Sequence, residues 1–353
     1  MIYCYPLRLH ASLHETIWGG RRLERDGWKQ LPPGNIAIGE SWETEISNVI
    51  QNGTYAGKTL GTLIEELGVP LLGEQSCAIF GQRFPLLAKF IDANADLSVQ
   101  VHPKDSYAAR YEEGKLGKTE FWYILATEPE ASIIYGFKTP TSRAEVAEAI
   151  QNVTLDRLLH KEYVQAGDVI YVPAGTVHAI GSGVMLYELQ EYSDITYRMY
   201  DYGRLSTSGK PRELHIERSL DVAHYEVPHQ IKMNPVSLAN THDYEDRCLI
   251  ACRYFLTREL QFKEHGVIED TTKSSCIIIS CLRESVQIFY GDGLQDSESI
   301  SRGETLVLPA ALGHYRLVGN GTLLLSYVPE PTDTAWQQWQ ASNSRRGKTP
   351  VFR

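Results

Sequence analysis

Gln100 and His102 stand two residues apart in the stretch Leu97-Ser-Val-Gln-Val-His-Pro103. On an extended strand that spacing turns both side chains, together with Ser98, to one face, while Val99 and Val101 face the other way. Lys118 and Glu120 repeat the spacing in Gly117-Lys-Thr-Glu-Phe-Trp-Tyr123, ahead of a run suited to a strand. A carboxylate turned toward an aromatic-rich interior is costly unless it is paired or bound to a metal. Imidazole, carboxylate and amide oxygen are all donors to divalent cations, so the two strands read as the start of a metal site. The structural alternative has His102 closing a loop before Pro103 and Glu120 on the surface.

The elements that must hold these residues are short and bounded by turns. With 28 Gly, 16 Pro and 20 Tyr, the chain has the pattern of an all-β architecture with helical insertions. The clearest strands are expected at 169–172, 277–279 and 323–328. Helices are expected at 58–67, stopped by Gly68, and at 106–113, with Asp105 as cap and Gly114 as end. A third opens on the capping box Ser142-Arg-Ala-Glu145. Gly167-Asp-Val-Ile-Tyr-Val-Pro-Ala-Gly-Thr-Val-His178 lies in register with Gly303-Glu-Thr-Leu-Val-Leu-Pro-Ala-Ala-Leu-Gly-His314. A repeat at that distance fits two copies of one domain. The expected division is 1–230, 231–330 and a C-terminal tail over 331–353, whose basic stretch Ser344–Lys348 is expected to be exposed, with the join near Val227 to Ser237.

The first copy resembles the second motif of the cupin superfamily, whose fold is a jelly-roll β-barrel and whose histidine is a metal ligand inside it. That resemblance implies that His178 joins the inward set Gln100, His102 and Glu120. Such a set suits Zn²⁺ in an open arrangement, and the same donors also hold Mn²⁺ or Fe²⁺. The second copy keeps His314 but has no Gln-x-His or Lys-x-Glu strand upstream. Asp292-Gly293 suggests a tight hairpin there, and the expectation is a degenerate, metal-free barrel with His314 in its core.

Further motifs narrow the resemblance. Ile17-Trp-Gly-Gly20, Gly39-Glu-Ser-Trp-Glu43, Gln100-Val-His-Pro103, Gly117-Lys-Thr-Glu120 and Glu191-Tyr-Ser-Asp-Ile-Thr-Tyr-Arg198 are similar to those of class I mannose-6-phosphate isomerases of the short bacterial type. The family implies zinc ligands at Gln100, His102, Glu120 and His178, a catalytic arginine at Arg198, and active-site positions at Lys118 and Asp194. Longer members carry a Ser-Asp-Asn-x-x-Arg-x-Gly pattern and then Thr-Pro-Lys. Here the stretch Ser193–Arg204 differs, and the lysine has no clear counterpart beyond Arg204 or Lys210. Taken singly, Arg198 has the alternative of pairing with Asp201, Asp194 that of a turn residue, and Trp18 and Trp42 that of packing.

The chemistry implied by the family moves a proton between C2 and C1 of a sugar phosphate through a cis-enediol. Fixed positive charge near the sugar oxygens lowers that barrier, and the planar, permanently charged guanidinium of Arg198 is suited to it. A carboxylate, an amine or a metal-bound hydroxide is the base, and the residues do not choose among them. Other classes consistent with the motifs are a cupin metal oxygenase and a non-catalytic sugar-phosphate-binding cupin.

Composition bounds the rest. The 353 residues carry 34 Lys+Arg against 44 Asp+Glu, a formal charge of −10, which argues against a nucleic-acid binder. No window approaches the run of about 20 apolar residues that spans a bilayer. The expectation is a cytoplasmic monomer or homodimer, with no membrane or nucleic-acid partner and its six cysteines reduced.

Overall fold

The computed structural model describes residues 4–205, 209–272 and 274–345. Two antiparallel sheets close around each of two interiors, giving the mainly β, two-barrel architecture anticipated. In the first barrel a seven-stranded sheet runs in the order Lys232–Met233, Val169–Val172, Glu120–Thr127, Val184–Glu191, Leu86–Ala93, Ile38–Trp42, Ser12–Gly20. It faces a five-stranded sheet ordered Tyr197–Tyr200, Val99–Val101, His178–Ile180, Ser132–Phe137, Leu159–Tyr163. In the second, Leu7–Arg8, Thr305–Leu308, Ile277–Arg283, Thr322–Tyr327, Leu256–Phe262, Tyr244–Ala251 and Val236–Asn240 form the large sheet. Its small sheet comprises Gly266–Thr271, His314–Gly319, Ser285–Tyr290 and Asp296–Ser301.

The barrels pack large sheet against large sheet, so the central strands are buried on both faces. Every residue of Leu86–Ala93 and of Val184–Glu191 is buried. Alternate positions divide the labour. Phe90, Phe121, Tyr187 and Leu189 join Leu256, Ile278 and Leu324 of the second barrel in one apolar cluster. Ile91, Trp122, Ile124 and Leu186 face the other way, into a separate cluster inside the first barrel. Between the barrels the Tyr123 hydroxyl donates to Glu259 Oε1 at 2.7 Å. That bond satisfies two polar groups which burial would otherwise leave costly.

The join is less clean than a cut at 230/231. Leu7–Arg8 pairs with residues 306–307 of the second barrel, and Lys232–Met233 pairs with residues 169–170 of the first. The expected tail also differs, since Thr334–Arg345 is a helix whose Trp339 is buried. Its opening is fixed by Asp333, which accepts from the Trp336 N–H at 3.1 Å. Residues 346–353, including the basic Arg346 and Lys348, lie outside the described residues.

The helix over Leu60–Leu67 ends at Gly68 (φ 56°) as expected, and the capping box of Arg143–Gln151 is formed by Ser142 and Glu145. Asp105 is not a cap. It lies inside the helix Asp105–Tyr111, and its carboxylate serves other partners described below. Four cysteines are buried and two half-buried, all of them free. No helix among the described residues is long and apolar enough to cross a membrane.

The repeat is real in the fold, since Val169–Val172 and Thr305–Leu308 are followed by strands starting at His178 and His314. Expecting His314 in the core was wrong. Its ring is about half exposed and pairs with Glu269 at 3.1 Å, while the next residue, Tyr315, points inward and is fully buried. A shift of one residue exchanges the faces of a strand. The turns differ in the required sense, because the left-handed residue is Gly175 in the first copy and Gly313, directly before the histidine, in the second. His314→Ala is therefore expected to change stability by less than about 0.5 kcal/mol and to leave bound metal unchanged, as checked by thermal melts and metal analysis.

Candidate metal centre

Three strands of the small sheet set one row of side chains across the lumen of the first barrel. Arg198 and His178 are both cross-strand partners of Gln100. Directly opposed residues share a face, so these three point the same way. From the large sheet, Glu120 stands beside Gln190, and Glu188 lies between Lys89 and Trp122. The two sheets thus bring together residues nearly a hundred positions apart.

His102, Glu120 and His178 each offer a ligand atom within 4.8 Å of the others, and all three are buried. Glu120 Oε2 lies 3.7 Å from His102 Nε2, and Oε1 lies 3.4 Å from His178 Nε2. The far ring nitrogens are committed, since His102 Nδ1 donates to the Ile195 carbonyl and His178 Nδ1 to the Thr176 carbonyl, each at 2.8 Å. A carbonyl only accepts, so both Nε2 atoms carry a lone pair turned into the lumen. Gln100 places its amide 3.3 Å from His178 Nε2. Burial, then the Lys118 charge, holds His102 well below the usual imidazole range, and burial lowers His178 to about 4. Both rings are neutral near pH 7 and free to ligate.

The arrangement fits a divalent cation. His102 Nε2 and Glu120 Oε1 are buried without a hydrogen-bond partner, and orphaned buried groups of that kind are expensive. Lys118 Nζ stands 2.7 Å from Glu120 Oε2. Burial and then the Glu188 carboxylate push the Glu120 carboxyl above its ordinary range, against the pull of Lys118.

A model of the phosphomannose isomerase type I catalytic domain matches residues 7–136. Mannose-6-phosphate isomerase ManA of Bacillus subtilis (strain 168) is 37% identical over 92% of this chain and 99% of its own length. The chain belongs to the type I phosphomannose isomerases. A mannose-6-phosphate isomerase of Streptococcus mutans is 35% identical over 92% of this chain and 99% of its own. The crystal structure of the mannose 6-phosphate isomerase from Bacillus subtilis superposes with a TM-score of 0.81 at 34% identity, covering 91% of this chain and 99% of that one. A phosphomannose isomerase from Salmonella typhimurium, 16% identical with a TM-score of 0.72 over 92% of this chain and 99% of that one, shares the fold.

As a type I phosphomannose isomerase, the chain carries a second charged layer that its sequence motifs did not single out. Lys89 Nζ lies 3.3 Å from Glu188 Oε1 and 3.4 Å from Glu40 Oε2, and 4.5 Å above the ring of Trp42. Trp42 is thus a wall of the lumen beside Lys89, whereas Trp18 is core. Trp122 Nε1 donates to Glu188 Oε2 at 2.9 Å, and Lys118 stands 3.8 Å from Oε1. Burial works against the Glu188 anion, but Lys118, Lys89 and the Trp122 N–H outweigh it and hold that carboxyl below its usual range. Burial likewise opposes the Lys89 charge, and Glu40, Glu188 and Glu120 overcome it, so Lys89 is raised and stays charged. The signal was present in the sequence. Lys89 and Glu188 are charged residues inside the otherwise apolar runs Leu86–Ala93 and Val184–Glu191.

Arg198 is half-buried at the rim of the lumen. Its Nε donates to Ser98 Oγ at 3.2 Å and Nη1 to the Glu213 carbonyl at 3.0 Å. Asp201, the alternative partner, is instead taken by Arg204 (2.6 Å) and Arg212 (2.7 Å). Asp194 is not brought to the lumen. Its side chain is 66% exposed, with Lys115 3.4 Å away.

Proposed function

We propose that this chain interconverts mannose 6-phosphate and fructose 6-phosphate in the lumen of the first barrel, with one divalent cation, zinc, held by His102, Glu120 and His178 and with Gln100 beside them. The observation that carries the reading is the meeting, at one end of one barrel, of three buried ligand residues with Lys89, Lys118 and Arg198. Relatives 35–37% identical over nearly their whole length are named for the same activity. Two imidazoles, a carboxylate and an amide oxygen suit Zn²⁺ and also accept Mn²⁺ or Fe²⁺. When bound, such a cation acts as a Lewis acid toward the sugar oxygens.

The chain's own residues supply the remainder. Exchanging aldose for ketose carries a proton between C2 and C1, and negative charge grows on the oxygens attached to them. The Arg198 guanidinium, tethered through Ser98 and the Glu213 carbonyl, presents donors that are already aimed, so little reorganisation is needed when that charge appears. Lys118 and Lys89 extend the positive surface inward. Glu188, kept ionised between them, and the Lys118 ammonium are the groups placed to take up and return protons. Asp194 is turned to solvent with Lys115 and is assigned no role in this reading.

Zinc-loaded protein incubated with mannose 6-phosphate in deuterated water is expected to yield fructose 6-phosphate in a coupled assay, with solvent deuterium entering C1 or C2. Binding of the sugar with neither product nor exchange would overturn the proposal, and oxygen uptake with an organic substrate would replace it by the oxygenase reading.

A further inference from the structure

Glu191 is a buried carboxyl that the reaction does not use. Only 1% of the residue is exposed, yet it lies one strand away from the segment that presents Lys118 and Glu120. Its Oε1 accepts the Thr119 N–H at 2.8 Å, and its own N–H donates to the Thr119 carbonyl at 3.0 Å. Asp105 treats the other side of Lys118 in the same way, with Oδ1 accepting the Gly117 N–H at 2.9 Å. The backbone on both sides of Lys118 is thus gripped by a carboxyl group. Lys118 N itself donates to the Pro103 carbonyl at 3.0 Å, which pins the segment against the turn after His102. The approach is close enough to require glycine at 117, where a Cβ would fall 2.5 Å from Asp105 N and 2.7 Å from Pro103 O.

The Asp105 carboxylate also acts on Glu191. Glu191 Oε2 finds no N–H or O–H donor, which for a buried anion would be costly. A proton kept on Glu191 removes that cost. Consistent with this, burial and then the Asp105 charge push Glu191 well above the ordinary carboxylate range. The remaining Asp105 oxygen, Oδ2, accepts the Tyr254 hydroxyl at 2.7 Å. Tyr254 belongs to the second barrel, in the loop between Tyr244–Ala251 and Leu256–Phe262.

We propose that Asp105, Glu191 and Tyr254 form a clamp through which the second barrel positions Lys118 and Glu120 in the first. The second barrel then has a task in turnover. Asp105, Glu191 and Tyr254 are positioning residues; none of them touches the proposed ligands or the substrate.

The test rests on the isomerase reading and uses the zinc-loaded full chain. Glu191→Ala is expected to lower kcat for mannose 6-phosphate by about 10- to 100-fold, the scale on which misplaced catalytic groups cost rate, with KM and zinc per chain within about twofold of wild type. Glu191→Gln keeps an oxygen for Thr119 N–H and an N–H for Asp105, and is expected to hold kcat within about threefold of wild type. Tyr254→Phe is expected to lower kcat by about 3- to 10-fold, the loss of one net hydrogen bond, again with KM and zinc unchanged. Equal losses in the Ala and Gln variants, or an unchanged kcat in Glu191→Ala, would overturn the clamp. So would a loss of activity that tracks a loss of zinc. If Glu191→Ala does not fold, Tyr254→Phe decides, and wild-type kcat there overturns the proposal. An inactive wild-type protein would instead overturn the isomerase reading.

Discussion

Glu120→Gln is expected to lower kcat by about 10³-fold or more, because the several kcal/mol that a Lewis acid contributes at developing negative charge convert at 1.36 kcal/mol per factor of ten. The carboxylate is fully buried, lies within 3.7 Å of both imidazole Nε2 atoms, and has Lys118 as its cationic partner, at 2.7 Å from Oε2. An amide in its place offers one weaker, neutral donor and sets an N–H against the ring nitrogens. Metal analysis of the variant should find little bound zinc. A second readout does not depend on turnover. Zinc at about 100 times its Kd stabilises the wild-type fold by about 2.7 kcal/mol, and the variant should lose that rise in melting temperature. Chelation of the wild type should abolish turnover and zinc should restore it. A variant that kept both metal and rate would show that Glu120 is not a ligand.

Arg198→Ala is expected to cost about 10²- to 10³-fold in kcat/KM, the range found when one preorganised donor to a developing oxyanion is removed. The guanidinium faces the lumen from the strand next to Gln100, and among the described residues it makes no ion pair. Burial, then Arg212 nearby, lowers its pKa, with Asp201 and Glu213 acting against them. Arg198→Lys should recover less than about a tenth of the lost rate, since a point charge lacks the planar fork. Bound zinc should remain at wild-type level in both variants. Steady-state kinetics with parallel metal analysis check this, and a rate within threefold of wild type in Arg198→Ala would remove the arginine from the reaction.

Of the candidate ligand trio, His102 and Glu120 were legible because strand geometry is so regular, and His178 was implied by the resemblance of its motif to a cupin. A spacing of two in Gln100-Val-His102 and Lys118-Thr-Glu120 needs only the period of a pleated strand to imply a shared face, and both pairs do face the lumen. The strand at 169–172 and the capping box at Ser142 were readable for the same reason, being set by residues a few positions apart. What could not be read depends on pairing between distant strands. Lys89 and Glu188 stand out as charges in apolar runs, but that they oppose each other across Leu86–Ala93 and Val184–Glu191 follows from a register which no local pattern specifies. His314 failed for a subtler reason. The Gly, Pro and His of the two copies match in number, but the left-handed glycine sits two residues after the proline in one and one residue before the histidine in the other, and this reverses the face. Asp194 sat between motif residues and turned outward because its neighbour Ser193 is the one tied inward, its hydroxyl donating to the Leu116 carbonyl at 3.0 Å.

The pairing of Leu7–Arg8 with the strand Thr305–Leu308 sets a timetable as well as a topology. On a ribosome adding about 5–20 residues per second, a strand whose partner lies 300 positions downstream (Leu7 to Val307) waits on the order of 15–60 s for it. Meanwhile Lys232–Met233 has already closed an edge of the first barrel. The barrel with the candidate metal site can thus assemble while its companion is still being made, and the last large sheet to form is sealed by a strand that emerged near the outset. The first barrel draws all its strands from residues 12–233, whereas the second borrows Leu7–Arg8 from the start of the chain, so separating the barrels leaves the second with an open edge.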